Sequence, residues 1–167
     1  MNYWQLSGKK KPKNPNSNLL IETNIDDQSP EILPYVVDKL FKAGAMDAWL
    51  TPIVMKKGRL ATKLSAIVKS GKKDEIAGII LKETSSIGLR INSIDRIEAQ
   101  RKVEKIKTVF GEINVKLAFK DGEIVNVAPE LDDCKAIAEK RGIPLKKVCQ
   151  EVLIKALKYF SEKNYKL

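Results

Sequence analysis

The order of the hydrophobic patterns between residues 18 and 99 constrains the fold of this chain more than any other feature of its 167 residues. The patterns predict, in sequence, a strand at 19–25, a helix that begins at Ser29-Pro30-Glu31, strands at 47–55 and 61–69, a helix at 72–84 and a strand at 89–99. This βαββαβ order is typical of a ferredoxin-like sandwich with the strand order 4-1-3-2. The second strand lies at a sheet edge in that order. Pro52 fits an edge because proline cannot donate a ladder hydrogen bond.

The residues after 100 predict a second arrangement. Turns are expected at Gly111 and at Asp121-Gly122, and the elements are three strands at about 101–109, 112–120 and 123–128 and two helices at about 130–141 and 144–160. The predicted fold class is therefore α+β, a ferredoxin-like sandwich followed by a three-stranded meander and two C-terminal helices. The predicted organisation is a disordered leader or linker at 1–17, a ferredoxin-like subdomain at 18–99 and a C-terminal α+β subdomain at 100–167.

The composition limits the function classes. The formal charge of +10 predicts an anionic partner, although four lysines within residues 1–17 leave only +6 on the remainder. The absence of histidine removes the commonest transition-metal ligand and favours Mg²⁺ or Mn²⁺ on oxygens. Cys134 and Cys149 form no CxxC pair, so neither a disulfide framework nor a zinc ribbon is predicted. No apolar run approaches the roughly 18 residues of a membrane span, and no secretory signal is recognisable, so we expect a cytoplasmic protein.

Three loops are expected to lie at one end of the predicted sheet. In a βαββαβ sandwich the first two strands run one way and the other two run back, so the loops at 23–29, 56–59 and 83–90 emerge together. The first supplies two carboxylates and a helix N-terminus, the second supplies two Lys and one Arg, and the third supplies three hydroxyls, Gly88 and Arg90. Oxygens bind divalent ions, while cations and backbone amides bind phosphates. The loops therefore predict a site for a metal–nucleoside triphosphate.

Each loop also has a simpler interpretation. In the simpler interpretation, Asp26 and Asp27 do no more than interact favourably with the dipole of the following helix. Residues 56–59 can form a solvated hairpin tip, and the Thr-Ser-Ser run at 84–86 can be an ordinary loop. The P-loop and GxGxxG fingerprints are absent from the sequence. The predicted convergence of the three loops favours the binding site over these alternatives.

The same stretches resemble the C-terminal domain of the LarC family. The motifs are, in order, ETNIDD.SPEI, AGAMDAWLTPIVMKKGR, TKLSAIVK, ET.SIGLR and NVAPE..DC, and the resemblance covers about residues 19–160. LarC proteins use CTP to insert nickel into pyridinium-3,5-bisthiocarboxylic acid mononucleotide, which yields the nickel-pincer nucleotide cofactor of lactate racemase. The resemblance implies a nickel insertase, or cyclometallase, of the lyase or chelatase class. It also implies that this domain binds CTP with Mn²⁺ or Mg²⁺.

The resemblance assigns roles to individual residues. The family's acidic motif falls on Glu22, Thr23, Asn24, Asp26 and Asp27, with the two Asp on the divalent metal and Thr23 with Asn24 on phosphate or metal-bound water. The other phosphate- or nucleotide-binding residues that it implies are Lys56, Lys57 and Arg59 on the basic turn and Thr84, Ser85, Ser86 and Arg90 on the third loop. It assigns no catalytic residue.

Some positions depart from the family or carry no clear role. Gln28 stands where the family has Met, and a helix residue ahead of the Lys pair also varies, but neither change removes a charge that the site needs. Asp132, Asp133 and Cys134 match an acidic-Cys segment. For Cys134 a buried helix thiol is favoured over a role in substrate or nickel handling. Because the chain has no histidine, we expect nickel to be held by a separate N-terminal domain of the same protein. The chain is then the C-terminal half, excised or separately encoded, and inactive in nickel insertion alone.

The expected partners are CTP, the pyridinium mononucleotide, the N-terminal domain and further copies of this chain, without a membrane. The alternative is an RNA-binding or small-molecule-sensing ferredoxin-like module without catalysis. RNA binders of this shape stack bases on aromatic residues of the two central strands. Residues 19–25 and 61–69 contain no aromatic residue, which counts against nucleic acid. Topology alone does not exclude a sensor.

Overall fold

Two antiparallel sheets, one of four strands and one of three, organise residues 17–163, the part of the chain that the computed structural model describes. The chain divides into two compact units, Met1–Arg96 and Ile97–Leu167, each with one of the sheets and its own helices. These elements confirm the predicted α+β fold class. The predicted leader lies outside the described residues except for Ser17, so it stays a prediction.

The first unit has the predicted βαββαβ order. Its elements are β1 (Asn18–Ile25), α1 (Leu33–Lys42), β2 (Asp47–Val54), β3 (Leu60–Lys69), α2 (Lys73–Glu83) and β4 (Arg90–Ile94). The observed sheet order β2-β3-β1-β4 is the predicted order 4-1-3-2 read from the other edge. Pro52 therefore lies on an edge strand, the position in a sheet where a residue without a backbone N–H is tolerated.

Local signals set the ends of α1. The Ser29 hydroxyl accepts a hydrogen bond from the Glu31 backbone N–H at 3.4 Å, and Pro30 opens a short 3₁₀ turn ahead of the helix. After the helix, Gly44 has a φ of +95°, a conformation that glycine adopts without strain. The chain thus leaves β1, turns within a few residues and enters α1. This short passage holds the 23–29 loop at the end of the sheet.

The prediction of a strand over 89–99 is wrong in its second half, because β4 ends at Ile94. β4 pairs with β1, and the last pair joins Ile94 to Asn18, the first residue of β1. Residues 95–99 therefore lie beyond the last pair of the β1–β4 ladder and do not continue the strand. Alternation of apolar and polar residues was present there, but alternation alone does not supply a neighbouring strand.

Strict alternation along β1 separates the two faces of the four-stranded sheet. Leu19, Ile21 and Ile25 are buried in a core shared with α1 and α2, whereas Glu22 and Asn24 are partly exposed on the other side. We call that other side the open face, defined by the residues of the four strands whose side chains point away from α1 and α2. The largest fully buried side chains of this core are Ile21, Leu33, Leu40, Leu64, Ile76 and Ile80.

The second unit is the predicted meander with two helices. Its elements are β5 (Gln100–Thr108), β6 (Gly111–Lys120), β7 (Glu123–Pro129), α3 (Leu131–Arg141) and α4 (Leu145–Glu162). The two-residue turn at Asp121 and Gly122 has positive φ at both positions, 52° and 84°, as the tight hairpin turn requires. Gly142, with a φ of 63°, ends α3 in the left-handed conformation.

The apolar stripe of α4 covers the three-stranded sheet. Val148, Val152, Ala156 and Phe160 recur every four residues, and all four are fully buried. They share a core with residues of all three strands and with Cys134 of α3. No helix within residues 17–163 combines the length and the apolar character needed to cross a membrane.

The position of Ile21 predicts a large effect of truncation on stability. Ile21→Ala removes a fully buried side chain from the central strand, so the free energy of unfolding should fall by about 2–5 kcal/mol. Urea unfolding followed by circular dichroism measures this. Ile87→Ala is the matched control, because Ile87 is 98% exposed and should change stability by less than about 0.5 kcal/mol. Equal effects of the two substitutions would contradict the assigned core.

Candidate functional site

The acidic junction after β1 contacts both of the other predicted loops. The Arg59 guanidinium donates to Asp26 Oδ2 at 3.1 Å, which joins the junction to the β2–β3 turn. The Ser85 hydroxyl donates to Asp27 Oδ1, which joins the junction to the α2–β4 loop. The three loops that the sequence places at one end of the sheet therefore meet there.

Thr23 and Ser86 form a hydroxyl clamp between β1 and the α2–β4 loop. Thr23 is 3% exposed, and its hydroxyl bonds with that of Ser86 and donates to the Gly88 carbonyl at 3.0 Å. Ser86 Oγ lies 2.8 Å from the same carbonyl. Thr23 points to the helix side of the sheet, opposite to Asn24. The clamp thus holds the loop in place, whereas the Asn24 side chain faces outward with the open face.

Gln28 also binds the α2–β4 loop, a role that the sequence does not predict for it. Its Nε2 donates to the Glu83 carbonyl at 3.0 Å, and its Oε1 accepts from the Ser85 backbone N–H at 2.9 Å. The Thr84 hydroxyl bonds to the Ile80 carbonyl at 2.7 Å, so it satisfies the end of α2. The sequence signal for this role is that Gln28, which has both a donor and an acceptor, replaces the Met of the family.

The tip of the β2–β3 turn is strongly cationic. Lys56 and Lys57 are exposed, and among the described residues neither has an ion-pair partner. Lys57 has a φ of 61° and Gly58 one of 70°, so the chain reverses through two successive left-handed residues. The tip therefore holds two uncompensated ammonium groups beside the Asp26–Arg59 pair.

The open face continues the polar surface along the strands. Glu22 Oε1 accepts from Lys63 Nζ at 3.0 Å and from the Ser65 hydroxyl at 3.1 Å. Arg90 donates to Asn24 Oδ1 at 2.7 Å. The bond from Lys63 is the main cause that lowers the pKa of Glu22, and burial of the carboxyl opposes it. Lys63 and Ser65 are site residues that were not predicted, although alternation in the predicted third strand places them on the side of Glu22.

The donor set at the junction fits a hard divalent ion. Asp26 and Asp27 supply carboxylates, and Asn24 adds an amide oxygen two residues earlier. Within residues 17–163, no group of three or more His, Cys, Asp or Glu is arranged to hold a metal ion. Mg²⁺ is commonly held by only one or two carboxylates, with water and substrate phosphates in its other positions. The junction therefore suits an ion that arrives with a phosphate group better than a permanently caged metal.

Cys134 lies apart from these loops, in the core of the second unit. It is fully buried, and its pKa is raised to about 12 by burial and by a hydrogen bond with the Cys149 thiol. The neighbouring Asp133 accepts from the Asn114 backbone N–H and from its side-chain amide, both at 2.9 Å. Because only a thiolate is strongly nucleophilic or metal-binding, Cys134 acts as a packed thiol, and Asp133 anchors α3 to β6.

The Glu22–Lys63 pair predicts a pH-dependent coupling energy. The pKa of Glu22 is lowered on folding, so the stabilisation is present above its ordinary value of 4.5 and is lost as pH falls through the folded pKa. A double-mutant cycle of Glu22→Gln and Lys63→Ala, measured by urea unfolding, should give a coupling at pH 7 that is lost as the pH falls below the ordinary value of 4.5 and through the lowered pKa of Glu22. A coupling unchanged at low pH would exclude the charged pair as its origin.

Known proteins match this chain over most of its length. A family model described as "Nickel insertion protein" matches residues 2–149. The pyridinium-3,5-bisthiocarboxylic acid mononucleotide nickel insertion protein of Thermotoga sp. (strain RQ2) is 48% identical over 141 residues, which are 84% of this chain and 35% of that protein. The protein with the same name from Clostridium acetobutylicum is 45% identical over 139 residues, 83% of this chain and 33% of that protein.

Two solved structures are also similar. One is described as LarC2, the C-terminal domain of a cyclometallase involved in the synthesis of the NPN cofactor of lactate racemase, in its apo form. It has a TM-score of 0.80 and 38% identity, and the match covers 84% of this chain and 96% of that one. The other is protein MK0293 from Methanopyrus kandleri, with a TM-score of 0.61 and 28% identity, over 81% of this chain and 84% of that one.

The share of each protein that the match covers differs between the curated relatives and the solved domain. The chain spans about a third of the length of the curated relatives it matches. It spans nearly the whole of the LarC2 domain, with the same fold. The family model covers most of the chain, and the Thermotoga protein is 48% identical over 84% of it. The resemblance to the LarC family is thereby confirmed: this chain belongs to the nickel insertion protein family.

Proposed function

We propose that this chain is the C-terminal part of a CTP-dependent nickel insertase, and that it binds CTP together with Mn²⁺ or Mg²⁺. The observation that carries the proposal is the meeting of the three loops through the Asp26–Arg59 and Asp27–Ser85 contacts. One end of the first unit thus combines carboxylates, free ammonium groups and hydroxyls. A metal–nucleoside triphosphate needs these three kinds of group at once.

Asp26 and Asp27 would hold the divalent ion, and the bond from Arg90 holds the nearby Asn24 amide oxygen in place. When bound, the ion neutralises charge on the phosphates and fixes their orientation. Ser85, whose hydroxyl already donates to Asp27, keeps that carboxylate directed toward the junction. Thr23 and Ser86 are tied to each other and to Gly88, so we assign them to loop positioning beside the nucleotide.

Lys56, Lys57 and Arg59 would bind the phosphates. The Asp26–Arg59 pair is solvent-exposed, with 57% of the Arg59 side chain accessible, and such pairs contribute only about 0–1 kcal/mol. Arg59 can therefore exchange its carboxylate partner for a phosphate at little energetic cost. The same exchange frees Asp26 for a cation. The ion pair thus holds the Arg59 guanidinium and the Asp26 carboxylate at the site, and each can exchange its partner for a ligand.

In the whole protein, nickel would be the metal that is inserted into the substrate, and this chain would not hold it. The chain has no histidine, and the Cys134 thiol is buried with a raised pKa. Nickel favours imidazole and sulfur ligands, so its binding is assigned to the portion of the family that this chain does not span. That N-terminal portion, the pyridinium mononucleotide substrate and further copies of this chain are the proposed partners. The cytoplasm is the proposed location.

Replacement of both junction carboxylates tests the metal assignment. Asp26→Asn combined with Asp27→Asn should reduce the CTP affinity measured with Mn²⁺ to the affinity measured without it. Asn retains the capacity to cap a helix, so the fold should persist, as circular dichroism can verify. Isothermal calorimetry with and without Mn²⁺ measures the effect.

A charge-matched control is available on the same unit. Asp38 on α1 and Asp47 at the start of β2 are exposed, and their double replacement by Asn changes the net charge by the same amount. This control should leave Mn²⁺-dependent CTP binding unchanged, because long-range electrostatics are screened. An unaffected affinity in the Asp26/Asp27 variant would remove the metal assignment.

The basic turn gives a second test of the same site. Each charge-assisted contact contributes about 1.5–3 kcal/mol, so Lys57→Ala should weaken CTP binding at least about tenfold. The loss should be smaller for CMP, which lacks the outer phosphates. Lys42→Ala, at the far end of α1, is the control for loss of one exposed positive charge. Equal losses for CTP and CMP would argue against a contact with the outer phosphates.

A further inference from the structure

Two adjacent side chains of the acidic junction bind the same residue of the α2–β4 loop. The Ser85 hydroxyl donates to Asp27 Oδ1, and the Ser85 backbone N–H donates to Gln28 Oε1 at 2.9 Å. A serine hydroxyl turns to suit whichever acceptor is near it. The bond from the backbone fixes the position from which this hydroxyl turns. Ser85 is therefore attached at two points, one through a charged carboxylate and one through a neutral amide.

Gln28 makes its second bond to the last residue of α2. Its Nε2 donates to the Glu83 carbonyl at 3.0 Å, and the final carbonyls of a helix lack partners within the helix. The Glu83 side chain in turn pairs with Lys39 of α1 at 2.6 Å. The Gln28 amide thus bridges two backbone groups that are two residues apart. The helix end to which Ser85 is attached is held both by its backbone and by its side chain.

Other bonds hold the parts of the loop on either side of Ser85. Before it, the Thr84 hydroxyl donates to the Ile80 carbonyl at 2.7 Å. After it, the hydroxyl clamp described above ties the loop to β1. None of these bonds includes Gln28, so loss of its amide should free the Ser85 backbone while the loop stays attached at both ends. The arrangement indicates a local task for Gln28 rather than a contribution to the whole fold.

The Ser85 hydroxyl can serve either of two acceptors, but only one at a time. Ser85 is exposed, and its single O–H donor is used on Asp27. A divalent ion that binds the Asp27 carboxylate competes with that bond. The released donor can then bind a phosphate oxygen, because the function proposed above places phosphates at the same loops. The exchange of acceptor links the ion to the phosphate.

This exchange requires that the Ser85 backbone stay in place. Without a second attachment, a loop segment released from Asp27 would have no bond from Ser85 to retain it at the junction. Gln28 carries no charge, and its oxygen already accepts from the backbone, so Mg²⁺ or Mn²⁺ favours the carboxylates beside it. The bond to Gln28 therefore holds Ser85 both before and after the exchange.

We propose that Gln28 is a positioning residue that couples the binding of the divalent ion to the binding of phosphate, because it holds Ser85 while the hydroxyl passes from Asp27 to a phosphate oxygen. Such coupling is reciprocal, so the ion raises the affinity for phosphate by the same factor by which phosphate raises the affinity for the ion. The inference deepens the proposed function and rests on it, since it needs the ion at Asp27 and phosphates at the loops. Gln28 itself touches neither ligand.

Calorimetry with CTP, in Mn²⁺ and in a chelator without Mn²⁺, tests this role. Gln28→Met keeps the length of the side chain and removes both hydrogen-bonding groups. It should weaken CTP binding about fivefold in Mn²⁺, as expected for one net hydrogen bond, and leave the affinity without Mn²⁺ unchanged. Ser85→Ala removes the donor itself and should give the same pattern. The double variant should lose no more than Ser85→Ala alone, because both changes act through one contact.

Two further measurements are matched to this experiment. Inorganic tripolyphosphate has no base, and it should show the same losses as CTP because the contact is with phosphate. Gln150→Met, at an exposed position on α4, removes the same amide from the second unit and should change neither affinity. Urea unfolding of each variant, followed by circular dichroism, checks that the fold persists.

A positioning role and a purely structural role give different results. Equal losses with and without Mn²⁺ in Gln28→Met, full additivity with Ser85→Ala, or a Gln28→Met chain that does not fold would each overturn the positioning role. Mn²⁺-dependent CTP binding that is unchanged in both variants overturns it and leaves the proposed function intact. If the unaltered chain binds CTP no better with Mn²⁺ than without it, the proposed function fails and this inference fails with it.

Discussion

The antiparallel pairing of β1 with both β3 and β4 is the constraint on which the first unit depends. β1 bonds to β3 along its whole length and to β4 over its first five residues. This register places Ser65 and Arg90 on either side of Glu22. Beyond the last pair with β4, the end of β1 is free to turn into the acidic junction. A slip of one residue would exchange the two faces of β1 and put Glu22 and Asn24 into the apolar core. The core and the polar surface are therefore fixed by the same hydrogen bonds.

The carboxylates of the acidic junction are paired with groups of the other two loops through solvent-exposed contacts that a ligand can replace. Asp26 is paired with Arg59 and Asp27 with Ser85, while the two lysines at the tip have no ion-pair partner among residues 17–163. An anion that reaches the tip gains two unpaired cations and competes for Arg59. A cation that reaches the junction gains the carboxylates that Arg59 and Ser85 release. Binding of either charge therefore favours binding of the other, which is the behaviour expected of a site for a metal–phosphate complex.

Much of this arrangement follows from the sequence, because it depends on the order and direction of elements. The strand order, the edge position of Pro52 and the meeting of the three loops all follow from βαββαβ connectivity. The end of β4 did not follow, since it depends on where β1 begins rather than on the residues after Ile94. The roles of Gln28 and of the Thr23–Ser86 clamp could not be predicted either. Both join residues more than 50 positions apart through side-chain orientations that periodicity does not specify.

The two units divide the polar chemistry unequally, and this division explains why the +10 charge does not imply a polyanion. The second unit is held by a sealed core in which Cys134 stays protonated, and several of its surface charges pair locally, as in Lys116–Glu130 and Lys135–Asp132. The unpaired cations at the tip of the first unit act over a few ångströms, not along an extended groove. Screening at physiological salt confines their field to about 8 Å. A compact, highly charged ligand matches that range, whereas the backbone of a nucleic acid needs phosphate contacts distributed along a much longer path.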